Sequence, residues 1–131
     1  MTTLKVGIAS YEEMKARTMR IARGEQRVSP DEPKVWFTSM ESLAKVLSAG
    51  NRELLGTIAA KAPGSLDELA RLTGRAKSNL SRTLRTMEGY GLVRLERGAR
   101  GRIIPTVTHD RVELDLPLTL AGPEGPPAAE A

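Results

Sequence analysis

The sequence predicts an α+β fold, mainly α with a small β component, and three observations carry that prediction. Apolar residues recur at helical spacing in four consecutive segments between 39 and 89. Short alternating runs, the mark of a half-buried strand, stand near both ends of the chain. Between the last helical segment and the last alternating run lies a tip rich in glycine and arginine, flanked by two strand-like stretches.

The chain is organised around 65–93, SLDELARLTG followed by RAKSNLSRTLRTMEGYGLV. Ser65 and Glu68 form an S-x-x-E capping box, in which each side chain satisfies a free backbone N–H at a helix start. Leu66, Leu69 and Ala70 then share one face, and Thr73-Gly74 ends the helix, with Gly74 free to adopt a left-handed conformation. A second helix is predicted over 77–89, with Leu80, Thr83, Leu84 and Met87 as its inward stripe. Two short amphipathic helices about a glycine-bearing turn have the form of a helix-turn-helix, whose second helix can enter the major groove of DNA.

On that second helix Ser78, Arg82, Arg85 and Gly89 point directly away from the stripe, flanked by Lys77, Asn79, Ser81 and Thr86. The face carries donors and no carboxylate, and Glu88 sits to one side. Such a composition suits phosphates and purine edges. A solvated helix face also carries arginines, so the surrounding charge matters. Between 71 and 102 there are nine Lys/Arg against two Glu, a net of +7; the whole chain nets +4, leaving −3 for the remainder. Positive charge is concentrated on one segment, as a nucleic-acid footprint would be.

In these motifs the chain resembles winged helix-turn-helix proteins of the MarR/ArsR type. It is most similar to small prokaryotic MarR-like regulators encoded beside toxin genes and proposed as antitoxins. The likeness rests on S-L-D-E-L-A-R-L-T-G, S-N-L-S-R-T-L-R-T-M-E-G-Y-G-L-V, the basic hairpin after them, a V-W-F-T-S strand before them and a closing V-E-L-D-L strand, and it covers roughly 34–118. It implies a DNA-binding repressor, and within that class an antitoxin that represses its own operon and neutralises a toxin.

Composition sets bounds. A chain of 131 residues allows one domain with appendages. The aromatics are few, so the core must come from Leu, Val, Ile, Ala and Met. There is no cysteine, hence no disulfide framework and no thiolate metal site. No apolar run is long enough to span a bilayer and no signal peptide is visible, so the expected location is cytoplasmic. A pI near 9.8 with uneven charge favours a polyanionic partner.

The organisation expected is an N-terminal strand, helix and linker over 1–33, a winged domain over 34–118 and a disordered tail over 119–131. Leu4, Val6 and Ile8 alternate along a first strand, and Ser10 and Glu13 cap a basic helix over 11–23 whose thin apolar face is Tyr11, Met14, Thr18 and Ile21. That helix reads as a solvated element packed on one side, as dimer packing, or as an arm toward a partner chain or DNA. Residues 24–33 read as a linker. A strand over 34–38 sets Val35 and Phe37 on one face and Trp36 on the other, so Trp36 is expected to be covered by another element or another subunit. Helices over 39–48, ended by Gly50, and 52–62, ended by Pro63-Gly64, form the platform.

After the recognition helix come strands over 92–96 and 103–108 around the tip Arg97-Gly98-Ala99-Arg100-Gly101-Arg102. Such a wing suits phosphate contact or entry into the minor groove; the alternative is a turn kept soluble by charge. Pro105 places the return strand at an edge or bulge. Over 111–116, Val112, Leu114 and Leu116 face one way, and the strand over 34–38 is the expected pairing partner, within the chain or across a dimer.

The expected partners are double-stranded DNA, a second copy of the chain and, through the resemblance, a toxin protein; no membrane is expected. Arg75, Lys77, Arg97, Arg100 and Arg102 are the candidate phosphate contacts, and Ser78, Asn79, Arg82 and Arg85 the candidate base readers, with Ser81 beside them on the recognition helix. The expected homodimer interface contains Tyr11, Met14, Trp36, Val112, Leu114 and Leu116. The competing reading is a protein-interaction module on the same scaffold, binding and neutralising a partner without specific DNA binding. It requires apolar anchors on the outer helix face, where Ser78, Arg82 and Arg85 stand instead. No nucleophile–base set, phosphate loop, dinucleotide fingerprint or metal spacing is visible, and the single histidine, His109, falls in a turn, so neither an enzyme nor a cofactor is expected.

Overall fold

Four serines start four of the helices. The computed structural model describes residues 2–119. Its elements run β1 (Thr3–Ile8), α1 (Tyr11–Ala22), β2 (Val35–Phe37), α2 (Met40–Val46), α3 (Ala49–Lys61), α4 (Leu66–Thr73), α5 (Lys77–Gly89), β3 (Val93–Arg97), β4 (Ile103–Val107) and β5 (Arg111–Asp115), with a 3-10 turn, Ala99–Gly101, between β3 and β4. The tail expected from 119 lies, apart from Thr119, outside the described residues.

The Oγ atoms of Ser10, Ser39, Ser48 and Ser65 accept the N–H groups of Glu13, Ser42, Asn51 and Glu68 at 3.1, 3.0, 3.2 and 3.0 Å. At α1 the capping box closes reciprocally, Ser10 N–H donating to Glu13 Oε1 at 2.8 Å. At α4 it does not: Glu68 Oε2 reaches one residue further back and accepts the Gly64 N–H at 2.6 Å, an amide with no backbone acceptor in the turn after α3. Gly50 also departs from expectation. It lies in the first turn of α3 instead of ending α2, because Ser48 already caps α3 and Asn51 Nδ2 closes α2 by donating to the Val46 carbonyl at 3.0 Å.

The terminal strands correct the expected pairing. The strand at 34–38 does not pair with the strand at 111–116. β1 stands between them in the order β2-β1-β5, and both neighbours run parallel to it. The N-terminal strand, grouped by sequence with an arm, is therefore the middle of the sheet. The reason is that Leu4 and Val6 give β1 a fully buried face, at 5% and 0% exposure, which an edge position would leave open. Val6 is in register with Val35 and Leu114, and Leu4 with Val112, so one apolar face extends across all three strands.

That face packs on a winged helix-turn-helix built from α3, α4, α5 and the β3–β4 hairpin. One core joins the two parts: Leu4, Val6 and Phe37 from the sheet side, Leu54 and Ile58 from α3, Leu66 and Leu69 from α4, and Leu80, Leu84 and Met87 from α5. The predicted stripes of α4 and α5 are thus the buried ones, with Thr83 half-buried at the margin. Phe37 stacks on Tyr90 with ring centroids 4.1 Å apart, tying β2 to the end of α5. The fold is α+β, mainly helical.

Candidate nucleic-acid interface

The buried stripe of α5 dictates what its other side presents. With Leu80, Leu84 and Met87 inward, Lys77, Ser78, Asn79, Arg82, Arg85 and Thr86 are exposed, and Ser81 is half-buried beside them. Glu88 is drawn off this face: its Oε2 accepts the Leu95 N–H of β3 at 3.2 Å. The outer face is therefore free of carboxylate. No side chain caps the start of α5, where Ala76 is the N-cap, so its first amides are left to solvent or to an anionic ligand.

The hairpin after α5 is a wing. β3 and β4 pair antiparallel from Val93↔Val107 to Arg97↔Ile103, with Pro105 opposite Leu95 on a strand whose other edge pairs with no strand among the described residues, a place that tolerates its missing N–H. Arg97, Arg100 and Arg102 are all exposed. The tip is held tightly: Gly98 N–H donates to the Arg102 carbonyl at 2.7 Å, and Arg102 Nε to the Ala99 carbonyl at 3.2 Å. Arg100 adopts a left-handed backbone, φ 60°, which turns the tip without a glycine at that position. A depression of about 180 Å³ separates the wing tip from the starts of α4 and α5, and Lys77, Arg100 and Arg102 all line it. Three cations from two elements thus meet on one side of the molecule. Lys77 also pairs with Asp67 at 3.2 Å, an exposed contact that water and salt screen.

Arg75 is placed differently from the other cations. Its Nη2 donates to the Gly50 carbonyl at 2.9 Å and its Nη1 to Asn51 Oδ1 at 3.2 Å. It joins the helix-turn-helix turn to the start of α3 instead of standing free for phosphate. Asn51, the other half of that contact, was not visible as functional in the sequence; a polar residue at a helix start is ordinary, and only the fold brings Arg75 to it.

The expected dimer residues do not form one patch. Trp36 projects to the face of the sheet opposite the core, where an added Cβ on Gly7 would lie 2.6 Å from its ring, Pro33 closes in, and the Arg17 guanidinium sits 5.5 Å above its centroid. Arg17 in turn pairs with Glu32. Trp36 is thereby covered within its own chain. Tyr11 is exposed and Met14 half-buried on α1, which contributes no buried residue. Val112, Leu114 and Leu116 stand on the other side of β1, Val112 half-buried and the two leucines exposed. His109, in the turn between β4 and β5, lies 2.9 Å by Nδ1 from Thr108 Oγ1. Among the described residues no cluster of acidic, histidine or cysteine side chains could hold a metal, and no helix is long and apolar enough to cross a membrane.

Comparison with known proteins gives three findings. The model of the family HVO_A0114 matches residues 46–114, from the end of α2 through the winged unit into β5. The chain is similar to the crystal structure of a predicted DNA-binding transcriptional regulator from E. coli, at 24% identity and a TM-score of 0.43, covering 77% of this chain and 86% of that one. No curated protein matches it.

Proposed function

The chain belongs to the HVO_A0114 family, and we propose that it is a sequence-specific, double-stranded-DNA-binding transcriptional regulator. The observation that carries this reading is the outer face of α5: Ser78, Asn79, Arg82 and Arg85 exposed together, no carboxylate among them, and wing cations bordering the same end of the helix. An exposed helix with amide and guanidinium donors can read purine edges in the major groove, while Lys77, Arg97, Arg100 and Arg102 contact phosphate. None of the exposed large hydrophobic side chains lies on α5, which weighs against use of that face as a protein-docking anchor.

Within this reading the protein works in the cytoplasm as a homodimeric repressor, two recognition helices matching the two-fold symmetry of a palindromic site. The resemblance to MarR-like antitoxins adds that the operon repressed is its own and that a toxin is the protein partner. The experiment is fluorescence anisotropy with duplex DNA from its own promoter and with random duplex of equal length, across a series of salt concentrations. Tighter binding to the promoter, falling steeply as salt rises, is the expected result. Affinity independent of salt, or equal on both duplexes, would remove the specific DNA-binding reading.

A further inference from the structure

The three-stranded sheet stops short. β5 is an edge strand, and among the described residues its outer side pairs with no other strand. Beside that edge runs an open, mainly apolar groove of about 900 Å³, bounded by α2 and α3 on one side and β4 and β5 on the other; Leu47, Leu55, Ile104, Val107, Val112 and Leu114 line it. Val112 and Leu114 share the face of their register partners Leu4 and Val6, toward the winged unit. The groove is therefore where side chains of the next strand would fall if the sheet continued. Leu114 is 39% and Leu116 38% exposed along this line, which is unusual for the apolar face of a strand in a small sheet.

β5 carries its own complement. Its sequence is Arg111-Val112-Glu113-Leu114-Asp115. Antiparallel pairing with an identical strand about a two-fold axis at Glu113 sets Arg111 opposite the partner's Asp115 twice over, and Val112 opposite the partner's Leu114 twice over. Only shifts of two residues keep apolar face beside apolar face. One such shift sets Glu113 against the partner's Asp115; the other brings Asp110 against the partner's Leu114. Arg111 and Asp115 are exposed, and neither makes an ion pair within the chain among the described residues. At the axis Glu113 meets its own copy, a repulsion set against the two flanking Arg111–Asp115 pairs; Lys5, its register neighbour on β1, donates its ammonium to the Asp31 carbonyl at 2.7 Å instead.

We propose that β5 pairs antiparallel with β5 of a second copy of this chain, joining the two sheets into one six-stranded sheet whose added strands close both grooves. The two-fold axis of such a pair is perpendicular to the sheet, so both apolar faces, and both winged units, lie on the same side. Tyr11, Met14 and Trp36 take no part, since α1 and Trp36 lie away from the apolar face and β2 is the far edge. The inference rests on the dimeric part of the function proposed above and is independent of DNA binding.

Sedimentation velocity tests it on the full chain. The unmodified protein is expected to be a dimer at micromolar concentration. Arg111→Asp alone and Asp115→Arg alone each set like charges opposite one another at two places and weaken the dimer by about tenfold or more. An equimolar mixture of the two variants regains the dimer, because both pairs between positions 111 and 115 are then of opposite sign. The double variant carrying both changes in one chain regains it as a homodimer, and circular dichroism verifies that each variant is folded. A wild-type dimer that both single changes leave intact, or a mixture that stays monomeric, overturns the β5 pairing while leaving a dimer through another surface. A monomeric wild type overturns the dimeric reading as well, and the anisotropy experiment still decides DNA binding on its own.

Discussion

Arg75 donates to Asn51 across the space between two helices, Nη1 to Oδ1 at 3.2 Å. Asn51 at the same time donates to the Val46 carbonyl, and Arg75 to the Gly50 carbonyl, so the end of α2, the start of α3 and the turn before α5 meet in one set of hydrogen bonds. A guanidinium held in this way ties the turn before α5 to the start of α3, and its expected role is to position α5 and not to contact phosphate. Arg75→Ala is expected to lower stability by about 1–2 kcal/mol in urea denaturation. It should also weaken binding to promoter DNA while leaving the salt slope unchanged. A slope flattened by about one unit would return Arg75 to the phosphate contacts.

Arg82 and Arg85 are exposed on α5, whereas Arg100 and Arg102 are exposed on the wing. The two pairs should respond differently to truncation. Arg82→Ala or Arg85→Ala is expected to cost about 1–3 kcal/mol on the promoter site and little on random duplex, if the side chain is bidentate to guanine. Changing Arg100 and Arg102 together to Ala should weaken both duplexes alike and flatten the salt slope by about one unit for each lost contact. Equal losses on the two duplexes for Arg82 and Arg85 would make them phosphate contacts.

Gly7 exists to admit Trp36. A methyl group there would lie 2.6 Å from Trp36 Cζ3 and 3.0 Å from Pro33 Cγ, well inside contact distance. Gly7→Ala should therefore destabilise the protein by about 1–3 kcal/mol through overpacking. Trp36, the single tryptophan, reports the change directly: its emission should shift to the red as the ring is pushed from its cover. An unaltered spectrum and unfolding midpoint would show that the indole yields without strain.

Glu13 closes the capping box of α1, and the Ser10 backbone N–H, with the Ser10 hydroxyl second, holds its carboxyl below the usual carboxylate pKa. A group whose folded pKa is depressed adds stability above its unfolded pKa, and that contribution disappears as the pH falls through the lowered value. The difference in stability between the wild type and Glu13→Ala should accordingly be widest at neutral pH and narrow through the acid range below the unfolded carboxylate pKa. Urea denaturation at a series of pH values checks it; a difference independent of pH would leave only helix propensity as its cause.

Much of the winged unit was legible because it is local. Ser65, the spacing of Leu66 and Leu69, Gly74, and the stripe Leu80, Leu84, Met87 each act within a turn or two of helix; the structure caps α4 with Ser65, ends it at Gly74 and buries the four leucines and Met87. The exposure of Arg82 and Arg85 then follows from helical geometry alone. The caps at Ser10, Ser39 and Ser65 were legible for the same reason, whereas Ser48, expected at the end of α2, caps α3, and the Glu68 carboxylate went to Gly64 once the turn before α4 decided which amide lay free.

What the tertiary structure alone decided is who sits beside whom. The run at β1 announces a strand but not its neighbours, and register partners 108 residues apart in the chain, Thr3 with Arg111 and Leu4 with Val112, are brought together by a long crossover that no local pattern records. Only the fold shows that β1 lies between β2 and β5, that Trp36 is covered by Arg17, Gly7 and Pro33, and that Arg75 turns inward to Asn51. Alternation states which face of a strand is apolar; the choice of partner depends on the summed burial of the whole chain, because many pairings satisfy the same alternation and only one of them closes the core.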